Sequence, residues 1–170
     1  MPNAWVKERK REYYYRKAKE EKFRSRASYK LLQAVKKYNF IKPGYVVVDL
    51  GASPGGWTQA ARKLVDDSGF VLAVDLKPIK PVDAPNVRTI IGDISEPQII
   101  QDILEFLPRS ADVVVSDVSP NVSGIWELDH ARQIDLASQS LRIATSILRS
   151  GGNFFVKAFQ GSSINNFVDE

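Results

Sequence analysis

The chain has 170 residues, with 24 Lys and Arg against 20 Asp and Glu, one histidine and no cysteine, a length sufficient for one domain with its own core. The lack of cysteine excludes disulfides, thiolate metal sites and a cysteine nucleophile, and the single histidine, His130, argues against a histidine-built metal cluster or a serine-histidine triad. No run of eighteen apolar residues is present and the basic start lacks the apolar centre of a signal peptide, so a soluble, cytoplasmic protein is expected.

The net charge of +4 hides an asymmetry. Residues 1–42 hold fourteen Lys and Arg against four acids, a surplus of ten, whereas the rest of the chain carries a deficit of six. A basic segment on an acidic body is the footprint of a polyanion-binding protein. The alternative is a solvated helix laced with i,i+4 pairs, because Glu20 and Glu21 sit among the lysines. Residues 5–22 have little apolar content beyond Trp5, Val6 and Tyr13 to Tyr15, so a segment only part-ordered without a partner is expected. The tyrosines beside arginines could stack on bases or pack on the body. From Ser25 the spacing predicts a helix with Leu31, Leu32, Val35 and Tyr38 as its apolar stripe, capped by Ser25 or Ser28. Lys42-Pro43-Gly44 then breaks the chain.

The stretch Val46-Val-Val-Asp-Leu-Gly-Ala-Ser-Pro-Gly-Gly-Trp57 organises the rest of the chain. A β-branched run ends in an acid and a glycine-rich turn, and Trp57, Ala60, Ala61, Leu64 and Val65 recur at helical spacing. Strand, glycine turn and helix make the nucleoside-binding corner of a doubly wound α/β sheet. Neither a G-x-G-x-x-G fingerprint nor a Gly-Lys-Ser/Thr phosphate loop is present. The spacing Asp49-x-Gly51-x-x-x-Gly55 is instead the form found in S-adenosylmethionine-dependent methyltransferases. Glycine lets the backbone approach a ligand without a Cβ clash, and Asp49 can orient the loop or face a cation. A plain tight turn is the alternative.

Further strands are predicted at Phe70–Asp75, Val87–Ile91, Ala111–Ser116 and Asn153–Phe159. The intervening helices are predicted from Ser95, with Ile99, Ile100, Ile103, Leu104 and Leu107 buried, and from about Ala131 to Leu148, stopped by Gly151-Gly152. Alternation of strands and helices implies a parallel sheet of about five strands with right-handed crossovers. Ile164, Phe167 and Val168 look like the first turns of an amphipathic helix at the end of the sequence, which reads as a chain that stops early.

Acids close three strands at Asp49, Asp75 and Asp117, and Asp93 follows another, so they can converge in the crevice at the carboxyl ends of the strands. Asp75 lies where an acid takes ribose hydroxyls, and Asp93 where one accepts from an adenine amino group. Aspartate also ends strands simply because it favours turns. Lys157 interrupts the apolar run Phe154-Phe-Val-Lys-Ala-Phe159; it either snorkels or serves as a base, with Asp117 holding it in place.

Four segments in order, Arg24-Ser-Arg-Ala-Ser-Tyr-Lys30, Asp49-Leu-Gly-Ala-Ser-Pro-Gly-Gly-Trp57, Ser116-Asp117-Val-Ser-Pro-Asn-Val-Ser-Gly124 and Phe155-Val-Lys157-Ala-Phe-Gln-Gly161, resemble the FtsJ/RrmJ-type ribose 2′-O-methyltransferases. The resemblance spans roughly Tyr13 to Phe167. It implies a Rossmann-like methyltransferase fold and methyl transfer from S-adenosylmethionine to a ribose 2′-hydroxyl of RNA, a uridine of large-subunit ribosomal RNA being the expected target. It assigns Lys30, Asp117 and Lys157 to the first three places of the family's Lys-Asp-Lys-Glu tetrad. Cofactor contacts are expected from Asp49, Gly51, Gly55, Gly56, Trp57, Asp75, Asp93 and Asp117. Residues 1–42 become a basic RNA-binding extension with the first helix, and residues 43–170 the catalytic domain. The tetrad's glutamate, in a Ser-Arg-Glu segment on a later strand, has no match here, nor do the family's last two strands; Glu170 stands in the wrong context. No metal is required by this chemistry, DNA is excluded as substrate by the 2′-hydroxyl, and a monomer is expected. The rivals are a transfer RNA ribose methyltransferase, a base N-methyltransferase, whose Asp/Asn-Pro-Pro-aromatic mark Asp117-Val-Ser-Pro120 lacks, and a non-catalytic RNA-binding module.

Overall fold

A computed structural model describes residues 4–169; residues 1–3 and Glu170 lie outside them. The elements in chain order are α1 (Ala4–Glu20), α2 (Ala27–Tyr38), β1 (Val46–Leu50), α3 (Gly56–Val65), β2 (Phe70–Asp75), β3 (Val87–Ile91), α4 (Ile99–Phe106), β4 (Ala111–Ser116), α5 (Trp126–Ile147), β5 (Leu148–Val156) and α6 (Ile164–Val168). The five strands form one all-parallel sheet in the order β3-β2-β1-β4-β5. Every residue of β1 and β4 is buried, as expected of central parallel strands covered on both faces.

Pleating sorts the side chains into two layers. Val47, Val71, Val113 and Val115 pack with Leu31 and Val35 of α2 and Trp57, Ala60, Ala61 and Val65 of α3. Val46, Val48, Leu50, Leu72, Val74 and Val114 pack on the other face with Ile99 and Ile103 of α4 and Ile143, Ala144 and Ile147 of α5. The chain leaves β1 toward β2 on one side and crosses to β4 on the other. This reversal opens a crevice above the carboxyl ends of β1 and β4.

Several local expectations are corrected. Residues 4–20 form helix α1, mostly exposed among its described side chains and joined to the body through Tyr14. Tyr14 packs on Tyr29 at 5.5 Å between centroids and accepts a hydrogen bond from Gln33 Nε2 at 2.7 Å, while Tyr29 donates to Glu21 at 2.7 Å. Tyr38 and Leu104, assigned to apolar stripes, are exposed. Ser28 does not cap α2; its hydroxyl lies 2.8 Å from Ser25 O and 2.9 Å from Gly56 O, in reach of donating to either, and links α2 to the start of α3. Ser95 caps no helix either, its amide and hydroxyl both donating to Asp93 Oδ1, and α4 begins only at Ile99. Helix α5 starts at Trp126, earlier than the periodicity indicates, because Asp129 reaches back to accept from Ser123 N, Ser123 Oγ and Gly124 N. It ends at Ile147 without the glycine pair. Gly151 and Gly152 instead lie inside β5, where the register against β4 shifts between Ala111 and Val113.

Among the described residues, no helix is long and apolar enough to cross a membrane.

Candidate active site

The crevice holds a cavity of about 360 Å³. Gly51 and Ser53 follow β1, Asp75 and Leu76 close β2, Asp93 and Ile94 follow β3, and Asp117, Val118 and Pro120 follow β4; all line it. The order of the strands therefore brings together acids that are far apart in the chain.

Each acid is held differently. Asp75 Oδ2 accepts from Ser53 N at 2.9 Å and Oδ1 from Lys77 N at 2.8 Å, which fixes the carboxylate and joins the loops after β1 and β2. Asp93 takes both bonds from Ser95 through Oδ1, and these hold it below the usual carboxylate range. Asp117 Oδ1 receives Lys157 Nζ in an ion pair across the β4–β5 boundary. Asp49 is fully buried on the α3 side of β1 and does not line the cavity. It accepts from Thr58 Oγ1 at 2.7 Å and leaves Oδ1 without a partner. Burial pushes its carboxyl up to about 7 against the opposing Thr58 hydrogen bond, and the nearby Asp117 and Asp75 charges add to the rise.

The glycine turn is set by close packing. Gly55 has φ +108°, in the left-handed region, and a Cβ there would lie 2.8 Å from Arg24 Nη1; a Cβ on Gly56 would lie 2.2 Å from Ser25 Oγ. Arg24 uses the space so left. Its guanidinium donates to Pro54 O at 3.3 Å, to Pro81 O at 2.6 Å and to Lys80 O, and its backbone N–H donates to Gln59 Oε1 at 2.8 Å. The segment before α2 thus straps the β1 turn to the proline-rich loop after β2.

The remaining expected residues fall outside the cavity wall. The Trp57 indole points into the core, 4% exposed, where Nε1 donates to Ala27 O at 2.8 Å and the ring meets Phe155 at 5.8 Å. Helical spacing explains it as an apolar anchor between α2 and α3. Lys30 stands on the exposed side of α2, outside the Asp117–Lys157 pair.

Gln133 is a residue the sequence reading missed. Buried on α5, it donates from Nε2 to Lys157 O at 2.8 Å and accepts at Oε1 from Phe159 N at 2.9 Å. It clamps the chain on both sides of Ala158. The available signal was a polar side chain in helical register with the buried Ala137, Ser140 and Ala144.

Such a cavity fits a nucleoside bearing a positive charge. Three carboxylates face it, Leu76, Ile94 and Val118 supply apolar walls, and the volume lies at the lower end of small-ligand pockets. With this strand order, the fold defines a Rossmann-like domain of the S-adenosylmethionine-dependent methyltransferase class. Aeropyrum pernix fibrillarin, with bound S-adenosyl-L-methionine, shares the fold with a TM-score of 0.54 at 20% identity, over 74% of this chain and 50% of that one.

Finer likenesses narrow the class. The model of the FtsJ-like methyltransferases matches residues 23–170, and the chain belongs to that family. A candidate ribosomal RNA methyltransferase from Plasmodium falciparum superposes with a TM-score of 0.76 at 28% identity, covering 85% of this chain and 82% of the other. Ribosomal RNA large subunit methyltransferase E of Methanocaldococcus jannaschii is 50% identical over 168 residues, which are 97% of this chain and 69% of the relative. Its counterpart in Methanothermobacter thermautotrophicus is 49% identical over 170 residues, 100% of this chain and 81% of the relative. That of Methanococcus maripaludis is 48% identical over 164 residues, 96% of this chain and 64% of the relative. The chain thus spans 69%, 81% and 64% of the length of these three relatives.

Proposed function

We propose that this chain carries the methyl-transfer centre of a ribose 2′-O-methyltransferase acting on large-subunit ribosomal RNA, with a uridine as target. The observation that carries the reading is the Asp117–Lys157 ion pair, set at the carboxyl edge of β4 and β5 with Asp117 in the wall of the cavity.

In this reading Asp75 takes the ribose hydroxyls of the cofactor on the lone pairs its two backbone donors leave free. Asp93 accepts the adenine amino group through Oδ2, the oxygen its Ser95 bonds do not use. S-adenosylmethionine supplies an electrophilic methyl group on its sulfonium. Asp117, in the cavity wall, would face the sulfonium and holds Lys157 Nζ in its ion pair. Lys157, in its unprotonated form, accepts the proton of the attacking 2′-hydroxyl. Gln133 fixes the Lys157 backbone, so the amine starts from one position. Lys30 belongs to the substrate side, where a cation on the face of α2 orients the hydroxyl or the adjoining phosphate. Gly51, Gly55 and Gly56 shape the turn, Trp57 anchors it from within, and Asp49 supports it from beneath.

Helix α1 supplies the polyanion-binding surface. Tyr14 faces the body, while Arg11, Arg16, Tyr13 and Tyr15 face solvent, an arrangement suited to phosphates and unpaired bases. DNA lacks the reacting group, and a cytoplasmic monomer goes with this reading.

The test is methyl transfer from labelled S-adenosylmethionine to ribosomal RNA or large subunits, followed by nuclease digestion. Label on the ribose supports the proposal. Label on a base would replace it with N-methylation, and RNA binding without transfer would favour a non-catalytic module.

A further inference from the structure

The start of α5 carries an arrangement that methyl transfer does not use. Trp126, 58% exposed, stacks on His130 with centroids 6.2 Å apart and planes at 8°, and on Phe159 at 6.1 Å and 20°. His130 is buried and its ring accepts from Ser163 N at 3.2 Å, while the backbone N–H of Phe159 donates to Gln133. The indole is therefore the exposed member of a group of three rings, anchored in the body by His130. That stack is tied to the Lys157 backbone through one side chain, Gln133, which bonds both Lys157 O and Phe159 N. Phe159 lies two residues from Lys157, a reach of at most about 7 Å along the chain. The platform thus sits within a nucleotide step or two of the proposed base.

Its other border is the cavity. The segment joining β4 to α5 lines the cavity at Ser119, Pro120 and Asn121 and is pinned by Asp129 just before Trp126. Val122 and Ile125, just before it in the chain, are exposed. With Trp126 and Leu128 these are the large exposed apolar side chains of this segment, against the roughly 20–30 residues a side of an ordinary protein interface. An exposed aromatic face at the end of a segment that lines a nucleoside cavity suits one planar ring.

We infer that Trp126 is a substrate-positioning residue that stacks an unpaired nucleobase flanking the target ribose. This rests on the proposed RNA substrate and deepens that reading by naming where the strand beside the target is gripped. Stacking is indifferent to base identity but requires the target to lie in unpaired RNA, so Trp126 selects for local single-strandedness.

The test uses the chain with bound S-adenosylhomocysteine and a single-stranded RNA oligonucleotide carrying the expected target, titrated over a range of salt. Trp126→Ala is expected to weaken RNA binding about 5- to 150-fold with an unchanged salt slope, because a base contact is lost and no phosphate contact. Trp126→Phe should stay within a fewfold of the parent. Trp126→Leu, which retains apolar contact with His130, should lose about as much as alanine. An abasic nucleotide at the stacked position should weaken binding to the parent equally and cause no further loss with Trp126→Ala. Unchanged S-adenosylhomocysteine affinity in all variants excludes misfolding as the cause. RNA binding by Trp126→Ala at parental strength, a flattened salt slope, or rescue by leucine overturns the platform alone. A parent that binds no RNA overturns both the platform and the RNA reading.

Discussion

At the amino end of the sheet, Asp112 of β4 accepts from Arg109 at 2.7 Å, from Arg149 at 2.6 Å and from Val46 N at 2.8 Å. At the other end of the same strand the chain passes to Asp117, whose partner is one half-buried lysine, and the neighbouring strand carries Asp49 with an oxygen left unpaired. Burial alone would raise the Asp112 carboxyl, but the donors of Arg109, Arg149 and Val46 overcome it and hold it below the ordinary range. Burial wins at Asp49, where one hydroxyl is too little compensation. The difference separates scaffold from site. A carboxylate held by two guanidinium groups and a backbone N–H is spent on holding β1, β4 and β5 together. One left with a single exchangeable partner retains capacity for a ligand or a proton.

This contrast between the two ends is most exposed to test at Lys157. Lys157→Ala is expected to lower methyl transfer by about 10²–10⁴-fold while S-adenosylmethionine affinity stays nearly unchanged, as read by initial rates and calorimetry. Lys157→Arg should not rescue, since a guanidinium keeps the ion pair yet stays protonated. Normal rates with arginine would reduce Lys157 to a second Arg149, a structural cation.

Asp49 offers the next largest effect. Its carboxyl binds a proton more tightly folded than unfolded, so its contribution to stability is complete below about pH 4 and is lost as pH rises toward about 7. The slope over that window approaches 1.4 kcal/mol per pH unit at most, roughly. Denaturant melts from pH 4 to 8 should show Asp49→Asn gaining on the parent as pH rises. A difference that does not vary with pH would place Asp49 with Asp112.

Asp112→Asn should destabilise the fold by about 1–3 kcal/mol without changing cofactor affinity, since both arginines can recover solvent. Asp75→Ala should do the converse. Cofactor binding should weaken by about 1–3 kcal/mol in calorimetry, with a smaller change in the melting midpoint. Were each substitution to shift both quantities alike, the two ends of the sheet would not be separable. The smallest effect is expected on α1. Replacing Arg11 and Arg16 by glutamine should lower the salt slope of RNA binding by about one per charge. An unaltered slope would return α1 to the solvated-helix reading, for which the Lys17–Glu21 pair at 3.7 Å is the only such contact seen among the described residues.

The parallel sheet, the glycine corner between β1 and α3, and the row of acids at strand ends were all legible in the amino-acid order. Each is a local signal: a β-branched run, a glycine-rich turn after an acid, and a period of 3.6 residues that puts Ala60, Ala61 and Val65 inward. Which of those acids face the cavity was settled by the folded arrangement alone. Asp49 lies inside β1, level with Val115, whereas Asp117 follows the end of β4, so pleat and register send the first under α3 and the second into the cavity wall. The same limit explains the other departures. Residues 4–20 lack apolar periodicity, and α1 is held by Tyr14 on a surface built from distant residues. Trp57 reads equally well as core or ligand contact until α2 is laid over it. Gly151-Gly152 reads as a helix stop but lies within β5, since only the pairing with β4 reveals the register shift there. Periodicity reports whether a side chain is apolar and how often it recurs; which surface it meets is set by residues that are neighbours only after folding.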